Sequence, residues 1–127
     1  MMNTPVSEVS ILSGEVVDWR YKAGAVVSLE DAKAEAAIIS DLMKAQQLST
    51  CRLLIDIREI RSISRKARKF FASQEVHDTY GVQGLALQVS SPVSTMIGNL
   101  YLSFNRTLHP TRLFTHREAA MEWLLAL

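Results

Sequence analysis

The residues of this sequence best suited to chemistry form a short run of cations and serines. Those that could hold an anion or an acidic partner are Arg58, Arg61, Ser62, Ser64, Arg65, Lys66, Arg68 and Lys69. Residues 52–69 contain seven basic and two acidic side chains, a net charge of +5, and the rest of the chain contains seven basic and 11 acidic ones, a net charge of −4. The total charge of +1 therefore conceals a basic segment on a mildly acidic body.

The basic segment lies at the start of a predicted helix, where cations are electrostatically disfavoured. Helix N-termini carry partial positive charge and favour acids, yet four cations and no acid follow Ser64 within two turns. Such a start favours an anion, which could be a phosphate, an acidic protein or a nucleic acid. Nucleic acid is disfavoured because its binding needs a broader basic surface, so we predict an acidic protein partner. The alternative is a solvated face balanced by acids of a neighbouring helix, at Glu30, Asp31, Glu35 or Asp41.

Ser62 and Ser64 lie among arginines and are candidate phosphorylation sites. A phosphate there would add about two negative charges and could pair with Arg58, Arg61 or Arg65. Ser64 also stands where a helix N-cap is expected, a role that requires no modification. For Ser64 we favour capping.

A second group of polar side chains is predicted beyond the carboxyl ends of the strands, where ligands bind in parallel sheets. Its members are Asp56, Ser90, Ser91, Ser94 and Asn99. A small polar or lipid-like ligand in this groove is the alternative function to protein docking. Capping and turn interactions of Ser91 and Ser94 are the competing explanation.

The sequence contains no nucleophile elbow, P-loop or dinucleotide-binding glycine motif. Its histidines, His77, His109 and His116, are far apart and lack the spacing of metal ligands. Cys51 precedes an apolar strand, where packing is a commoner role than reactivity. We therefore predict a protein that is not an enzyme and has no catalytic residues, no cofactor and no metal.

Hydrophobic periodicity predicts the elements that position these residues. Predicted strands cover Val9–Leu12, Glu15–Tyr21, Arg52–Ile57, Leu85–Val89 and Arg112–Phe114. Predicted helices follow Ser28, Ser64, Ser91 and Thr115, with capping boxes at the first and last of these. A two-residue turn at Ser13 and Gly14 would join the first two strands. The first helix is expected to reach about Leu48.

The resulting order, β-β-α-β-α-β-α-β-α, predicts an α/β fold with a mixed, mostly parallel sheet, an antiparallel edge hairpin and packed helices. Three of the helices carry apolar residues that are expected to face the core. In the first helix these are Ala32, Ala36, Ile39 and Met43, and in the last they are Ala119, Trp123, Leu124 and Leu127. In the third helix they are Val93, Met96, Ile97, Leu100, Tyr101 and Phe104. In the third helix, Gly98 suggests a close backbone contact. The large side chains of that helix cannot all face one core, so a homodimer is plausible.

This order and the local pattern around Asp56 resemble the STAS, or SpoIIAA-like, domain of bacterial anti-sigma factor antagonists. In that family an apolar strand ends in Asp, and a loop leads to Asp-Ser-Ser-Gly at the next helix. Here Leu53–Ile57 is the strand, Ser64 falls on the motif Asp, and Arg65 falls on the serine that family members phosphorylate. The sequence is also similar to an uncharacterised bacterial branch of this superfamily, sometimes grouped with the CRAL-TRIO lipid-binding fold. The resemblance implies a non-catalytic regulatory or protein-interaction module.

The chain has 127 residues, 48% of them hydrophobic and 21% charged, as expected of one globular domain. We predict a single domain over residues 1–127, with residues 1–7 as a flexible N-terminal tail. No apolar run is long enough to span a membrane, and the N-terminus lacks the features of a signal peptide. A single cysteine fits a reducing, cytoplasmic location.

Overall fold

The structure is a computed structural model and describes residues 1–73, 76, 78, 80–105 and 109–127. Its strands are β1 (Met2–Asn3), β2 (Ser7–Leu12), β3 (Val16–Tyr21), β4 (Val26–Val27), β5 (Cys51–Asp56), β6 (Ser62–Ile63), β7 (Val82–Gln88) and β8 (Thr111–Phe114). Its helices are α1 (Leu29–Ala45), α2 (Arg65–Phe71), α3 (Pro92–Asn105) and α4 (Arg117–Leu125).

The main sheet has six strands in the order β1-β2-β3-β5-β7-β8. Strands β1, β2 and β3 pair in antiparallel fashion, and β3, β5, β7 and β8 pair in parallel. The predicted mixed sheet with an antiparallel edge is therefore confirmed. Because parallel strands end at the same edge, the connections that follow β3, β5, β7 and β8 all lie at that edge. The basic segment follows β5 and therefore lies at this edge of the sheet.

Helices cover both faces of the sheet, as the apolar strand β5 predicts. Leu53 and Ile55 point to the larger core, which α1, α2 and α3 cover. Leu54 points to the smaller core, where Ala120 and Leu124 of α4 pack. In α4 the inward face is shifted from the predicted one, since Ala119, Trp123 and Leu127 are not fully buried.

The predicted caps of the first two helices are confirmed. Ser28 caps α1 in a capping box with Asp31, and Ser64 caps α2. Helix α1 ends at Ala45, before the predicted Leu48, because the chain turns at Gln47 with a φ of 57°.

Two other local predictions are wrong. Strands β2 and β3 are joined by three residues rather than two, and both Gly14 and Glu15 adopt positive φ angles. The last helix begins one residue later than predicted. Its N-cap is His116, which forms no side-chain capping hydrogen bond with the described residues, so the box starting at Thr115 does not form.

Helix α3 turns a different face to the core from the predicted one. Ile97 is buried, but Val93, Met96 and Leu100 are exposed. The close contact expected at Gly98 is present, and it is made by side chains: a Cβ there would lie 2.8 Å from Leu113 Cδ2. The absence of a side chain therefore lets the helix approach the sheet at this point.

Residues 1–7, predicted as a flexible tail, contain β1 and two buried side chains, those of Thr4 and Ser7. The backbone N–H of Ser7 donates to Thr4 Oγ1 at 2.8 Å. This segment is thus hydrogen-bonded to itself, and its antiparallel pairing with β2 joins it to the sheet.

Candidate functional site

The loop that carries the basic segment is fixed by buried residues and by a small second sheet. Ile57 and Ile60 are buried in the larger core. Strand β6 pairs in parallel with β4, which precedes α1. The backbone N–H groups of Arg61 and Ser62 donate to the carbonyl of Ala25. This pairing holds the start of α2 against the β3–α1 connection. Strands of two residues are too short to be recognised from the sequence.

Four of the predicted cations form an exposed cluster, which we call the basic surface: Arg61, Arg65, Lys66 and Lys69. Arg65 and Lys69 lie one helical turn apart on α2. No acidic side chain of the described residues forms an ion pair with any of the four. The basic surface is therefore a set of exposed cations that no acid within the described ranges neutralises.

The other two predicted cations are used by the fold. Arg58 Nε and Nη2 donate to the two carboxylate oxygens of Asp56 at 3.1 and 2.9 Å. Its hydrogen bond with Asp56, together with the negative charge there, raises the pKa of Arg58 above its usual value. Arg68 Nη1 donates to the backbone carbonyl of Ile63 at 3.1 Å. Both arginines are thus hydrogen-bonded within the loop and the start of α2, although the Arg58 side chain is still 45% exposed.

The two serines of the segment differ in their environment. Ser64 Oγ accepts the backbone N–H of Ala67 at 3.1 Å, the capping role expected of it. Ser62 is exposed on β6, and its hydroxyl forms no hydrogen bond with the described residues. Ser62 is the serine whose modification would leave the cap of α2 intact.

The acids proposed to balance the basic surface do not do so. Asp31 closes the capping box of α1, and Glu30 and Asp41 are exposed without an ion pair to a described cation. Glu35 is fully buried on the inward face of α1, so its expected surface position is wrong. The spacing of the buried residues of α1 gives the reason, since Glu35 lies three residues after the buried Ala32.

Glu35 is the most perturbed carboxyl group of this structure. Its carboxylate accepts hydrogen bonds from Ser7 Oγ at 2.5 Å, Trp19 Nε1 at 3.0 Å and the Tyr21 hydroxyl at 3.0 Å. Burial raises its pKa from 4.5 to about 7, and the three hydrogen bonds oppose this rise. Burial and the nearby carboxylate also raise the pKa of Tyr21 well above 10. With no exposure to solvent, Glu35 joins β2, β3 and α1 inside the core.

The predicted polar groove is only partly assembled. Ser90, Ser91 and Asn99 line a shallow, open groove along α3. Ser91 caps this helix, since its hydroxyl accepts the backbone N–H of Ser94 at 3.0 Å. Ser94 is buried, and its own hydroxyl accepts the backbone N–H groups of Ser90 and Ser91. Asp56 is not part of this groove. It extends from the opposite face of the sheet, to which Leu54 also points and which α4 covers.

On that face, Asp56 belongs to a row of charges that the sequence analysis did not find. Arg117 of α4 donates to both carboxylate oxygens of Asp18, at 3.0 and 3.1 Å. Arg20 lies 4.0 Å from the carboxylates of both Asp18 and Asp56. The row links α4 to the end of β5. On β3, Asp18 and Arg20 alternate with the buried Trp19, because successive side chains of a strand point to opposite faces of the sheet.

Those residues considered for catalysis or metal binding that the structure describes are not brought together. Cys51 is buried, and burial raises the pKa of its thiol to about 12, so the reactive thiolate is disfavoured at neutral pH. His109 is buried and His116 stands at the N-cap position of α4, whereas His77 lies outside the described residues. Among the described residues, no three His, Cys, Asp or Glu side chains form a group that could hold a metal ion.

The interior offers little room for a ligand. An apolar cavity of about 30 Å³ lies between Trp19, Phe71 and Tyr101, and a neighbouring one of about 20 Å³ shares these three side chains. Each has room for no more than a few atoms. No helix within the described part of the chain is long and apolar enough to cross a bilayer.

Solved structures share this fold at low sequence identity. A protein of the DUF3478 family with a SpoIIAA-like fold, from Shewanella loihica PV-4, is 15% identical with a TM-score of 0.66, covering 98% of this chain and 99% of that one. The anti-sigma factor antagonist SpoIIAA in its unphosphorylated form is 10% identical with a TM-score of 0.62, covering 95% and 99%. The Bacillus cell fate determinant SpoIIAA in its phosphorylated form is 11% identical with a TM-score of 0.55, covering 92% and 97%. The fold is therefore SpoIIAA-like, as the resemblance implied.

No curated protein matches this sequence. The family model described as Domain of unknown function (DUF7793) matches residues 10–127. The chain belongs to this family.

Proposed function

We propose that this member of the DUF7793 family is a non-catalytic regulatory module that docks an acidic protein through its basic surface. The observation that carries the proposal is that four exposed cations, one just before β6 and three on α2, have no ion-pair partner among the described residues. An acidic segment of another protein supplies the missing counter-charge.

The basic surface lowers the stability of the element that bears it. Arg65 and Lys69 have like charges at a spacing of four residues, which destabilises a helix by about 0.2–0.5 kcal/mol. Arg65 and Lys66 also lie in the first turn of α2, where cations oppose the helix dipole and no acid is present. An acidic partner relieves both effects, so part of its binding energy comes from electrostatic repulsion within the free protein.

An apolar side chain extends the basic surface. Val26 of β4 is 56% exposed and is paired with Ser62 of β6, next to Arg61. Protein interfaces commonly combine an apolar contact with a charged rim, and the charges there set the association rate and its salt dependence. We expect the partner segment to carry acidic residues and at least one apolar side chain.

The comparisons support a regulatory role through the fold. SpoIIAA, which shares it, is an anti-sigma factor antagonist whose phosphorylated and unphosphorylated forms have both been solved. In this chain Arg65 replaces the expected serine, so a phosphate switch would use Ser62. A phosphate on Ser62 beside Arg61 would lower the net charge of the basic surface and weaken the attraction for an acidic partner.

The proposal is tested by reversing charge on and off the basic surface. The double variant Arg65→Glu/Lys69→Glu changes two exposed cations of α2. The matched control Lys33→Glu/Lys44→Glu makes the same change at exposed positions of α1. Each protein is used to capture partners from a bacterial lysate, and the best-enriched acidic protein is purified for calorimetric titration against all three.

We expect the α2 variant to bind that protein at least about tenfold more weakly, whereas the α1 control binds as the wild type does. Wild-type affinity should also fall as ionic strength rises. Equal affinities for the wild type and the α2 variant, or capture that favours no acidic protein, would refute the proposal. Circular dichroism of both variants verifies that they are folded.

A further inference from the structure

We propose that the exposed face of α3 is a homodimer interface, in which the α3 helices of two copies pack antiparallel. The face is a stripe of three apolar side chains, Val93, Met96 and Leu100, which are 45%, 57% and 38% exposed. They recur at intervals of three and four residues and so lie along one side of the helix. We call them the α3 stripe.

In the described part of the chain, the α3 stripe is the place where three exposed large apolar side chains recur along one element. The other exposed large apolar side chains of the described residues are Met1, Met2, Val26, Leu125 and Leu127. Except for Val26, these lie at the two ends of the chain. The adjoining side of α3, which carries Ile97, already packs on the core, so a rotation that buried the stripe would expose Ile97.

The charge of this face favours a second copy over a charged partner. Residues 89–105 contain no Asp, Glu, Lys or Arg. An acidic protein therefore has no cation to pair with here, whereas two copies can approach each other without repulsion between like charges. One polar group of this face is already paired, since the Ser103 hydroxyl donates to the carbonyl of Leu100 at 2.7 Å.

The order of side chains makes the stripe complementary to itself. A two-fold axis between positions 96 and 97 places Val93 of one copy opposite Leu100 of the other, with the two Met96 side chains at the centre. The same axis places Ser90 opposite Ser103 at each end. Such an isologous contact is the commonest form of protein dimer.

A groove beside the stripe supplies the space for the second helix. Thr95 and Asn99 line it on one side, and Met96 and Leu100 form the ridge on the other. Ridges of one helix pack into grooves of its neighbour, so the Met96–Leu100 ridge of each copy fits the groove of the other. A 14-residue helix is about 21 Å long and covers less than the ~800 Å² per partner of a standard interface. We therefore expect a dimer that forms in the micromolar range.

Sedimentation velocity of the full chain from about 5 to about 500 micromolar tests this proposal. The average mass of the wild type should rise from 14.2 kDa towards twice that value. Met96→Glu should remain a monomer at every concentration. Val26→Glu, at an exposed apolar position outside the stripe, should associate as the wild type does. A wild type that is monomeric throughout leaves the stripe to another protein or an apolar ligand and overturns the proposal, as does a dimer that Met96→Glu does not weaken.

The antiparallel arrangement has a test of its own. Val93→Glu and Leu100→Lys should each be monomeric alone, because each introduces an unpaired charge into the interface. An equimolar mixture of the two should form a heterodimer, since the axis brings the new carboxylate of one chain to the new ammonium of the other. A parallel dimer would join like positions and gain no such pair. Failure of the mixture to associate overturns the antiparallel interface.

Discussion

Replacing Glu35 by glutamine should remove most of the pH dependence of folding between pH 4.5 and pH 7. The carboxyl group of Glu35 has no exposure to solvent, and burial raises its pKa from 4.5 to about 7. In the unfolded chain the group regains its ordinary value. The folded protein therefore keeps a proton that the unfolded chain has already released.

The sign of the effect follows from this difference. Below pH 4.5 the carboxyl group is protonated in both states, and its full contribution to stability is present. As the pH rises through 4.5 the unfolded state releases its proton first, and the contribution declines until the folded group ionises near pH 7. A difference of about 2.5 pH units corresponds to a loss of about 3 kcal/mol in the free energy of unfolding.

The variants separate charge from hydrogen bonding. In Glu35→Gln the amide oxygen can accept from Ser7 and Trp19, and the amide nitrogen can donate to the hydroxyl of Tyr21. This variant should match the wild type near pH 4.5 and exceed its stability by up to about 3 kcal/mol at pH 8. Glu35→Ala leaves the three donors without their acceptor and should be destabilised at every pH, by about 1–3 kcal/mol per buried unsatisfied group.

Urea unfolding, followed by tryptophan fluorescence at several pH values between 4.5 and 8, measures these differences. Asp41→Asn is the matched control, because it removes one carboxylate from an exposed position of the same helix. Its pH dependence should follow that of the wild type. If the difference in stability between Glu35→Gln and the wild type is the same at pH 5 and pH 8, the reasoning about the buried carboxyl group is wrong.

Two smaller predictions concern local structure. Ser64→Ala should lower the free energy of unfolding by about 1 kcal/mol through loss of the helix cap. Ser62→Ala should change it by less than about 0.5 kcal/mol. Urea unfolding of both variants distinguishes capping from a general effect of removing serines. Gly81→Ala should destabilise more than Gly24→Ala in the same assay, by about 1–3 kcal/mol. Both glycines have positive φ, but a Cβ at Gly81 would lie 2.7 Å from a backbone oxygen, whereas the space beside Gly24 is open. Equal losses at the two glycines would show that φ alone accounts for the cost.

The sequence predicted the mixed, mostly parallel sheet with its antiparallel edge because local signals sufficed for it. The apolar run of β5 indicates a strand buried on both faces, and Ser28 and Ser64 mark helix starts where capping is the lowest-energy use of a serine. The inward face of α3 could not be predicted in the same way. Its apolar residues surround the helix, so their periodicity does not indicate which side contacts the sheet. The exposure of Met96 followed only from the packing of Ile97.

The position of Glu35 depended on residues far away in the sequence. Its spacing from Ala32 places it on the inward face of α1, but a carboxylate is rarely buried without partners. The three donors come from β2 and β3, and nothing local to α1 indicates that they converge there. The short strand β6 could not be predicted either, because two residues are too few to show the hydrophobic alternation by which a strand is recognised.

The scaffold itself separates the cations that maintain the fold from those that are free to bind. Arg58 is held by Asp56, and Arg68 by a backbone carbonyl, so their replacement removes hydrogen bonds that fix the loop. Arg65 and Lys69 form no such bond with the described residues, and their replacement should leave stability unchanged or slightly improved, because repulsion within α2 is relieved. Stability and partner binding should therefore respond to different cations of one segment. If the basic surface were only a solvated face, reversing Arg65 and Lys69 would alter neither property by more than a few tenths of a kcal/mol.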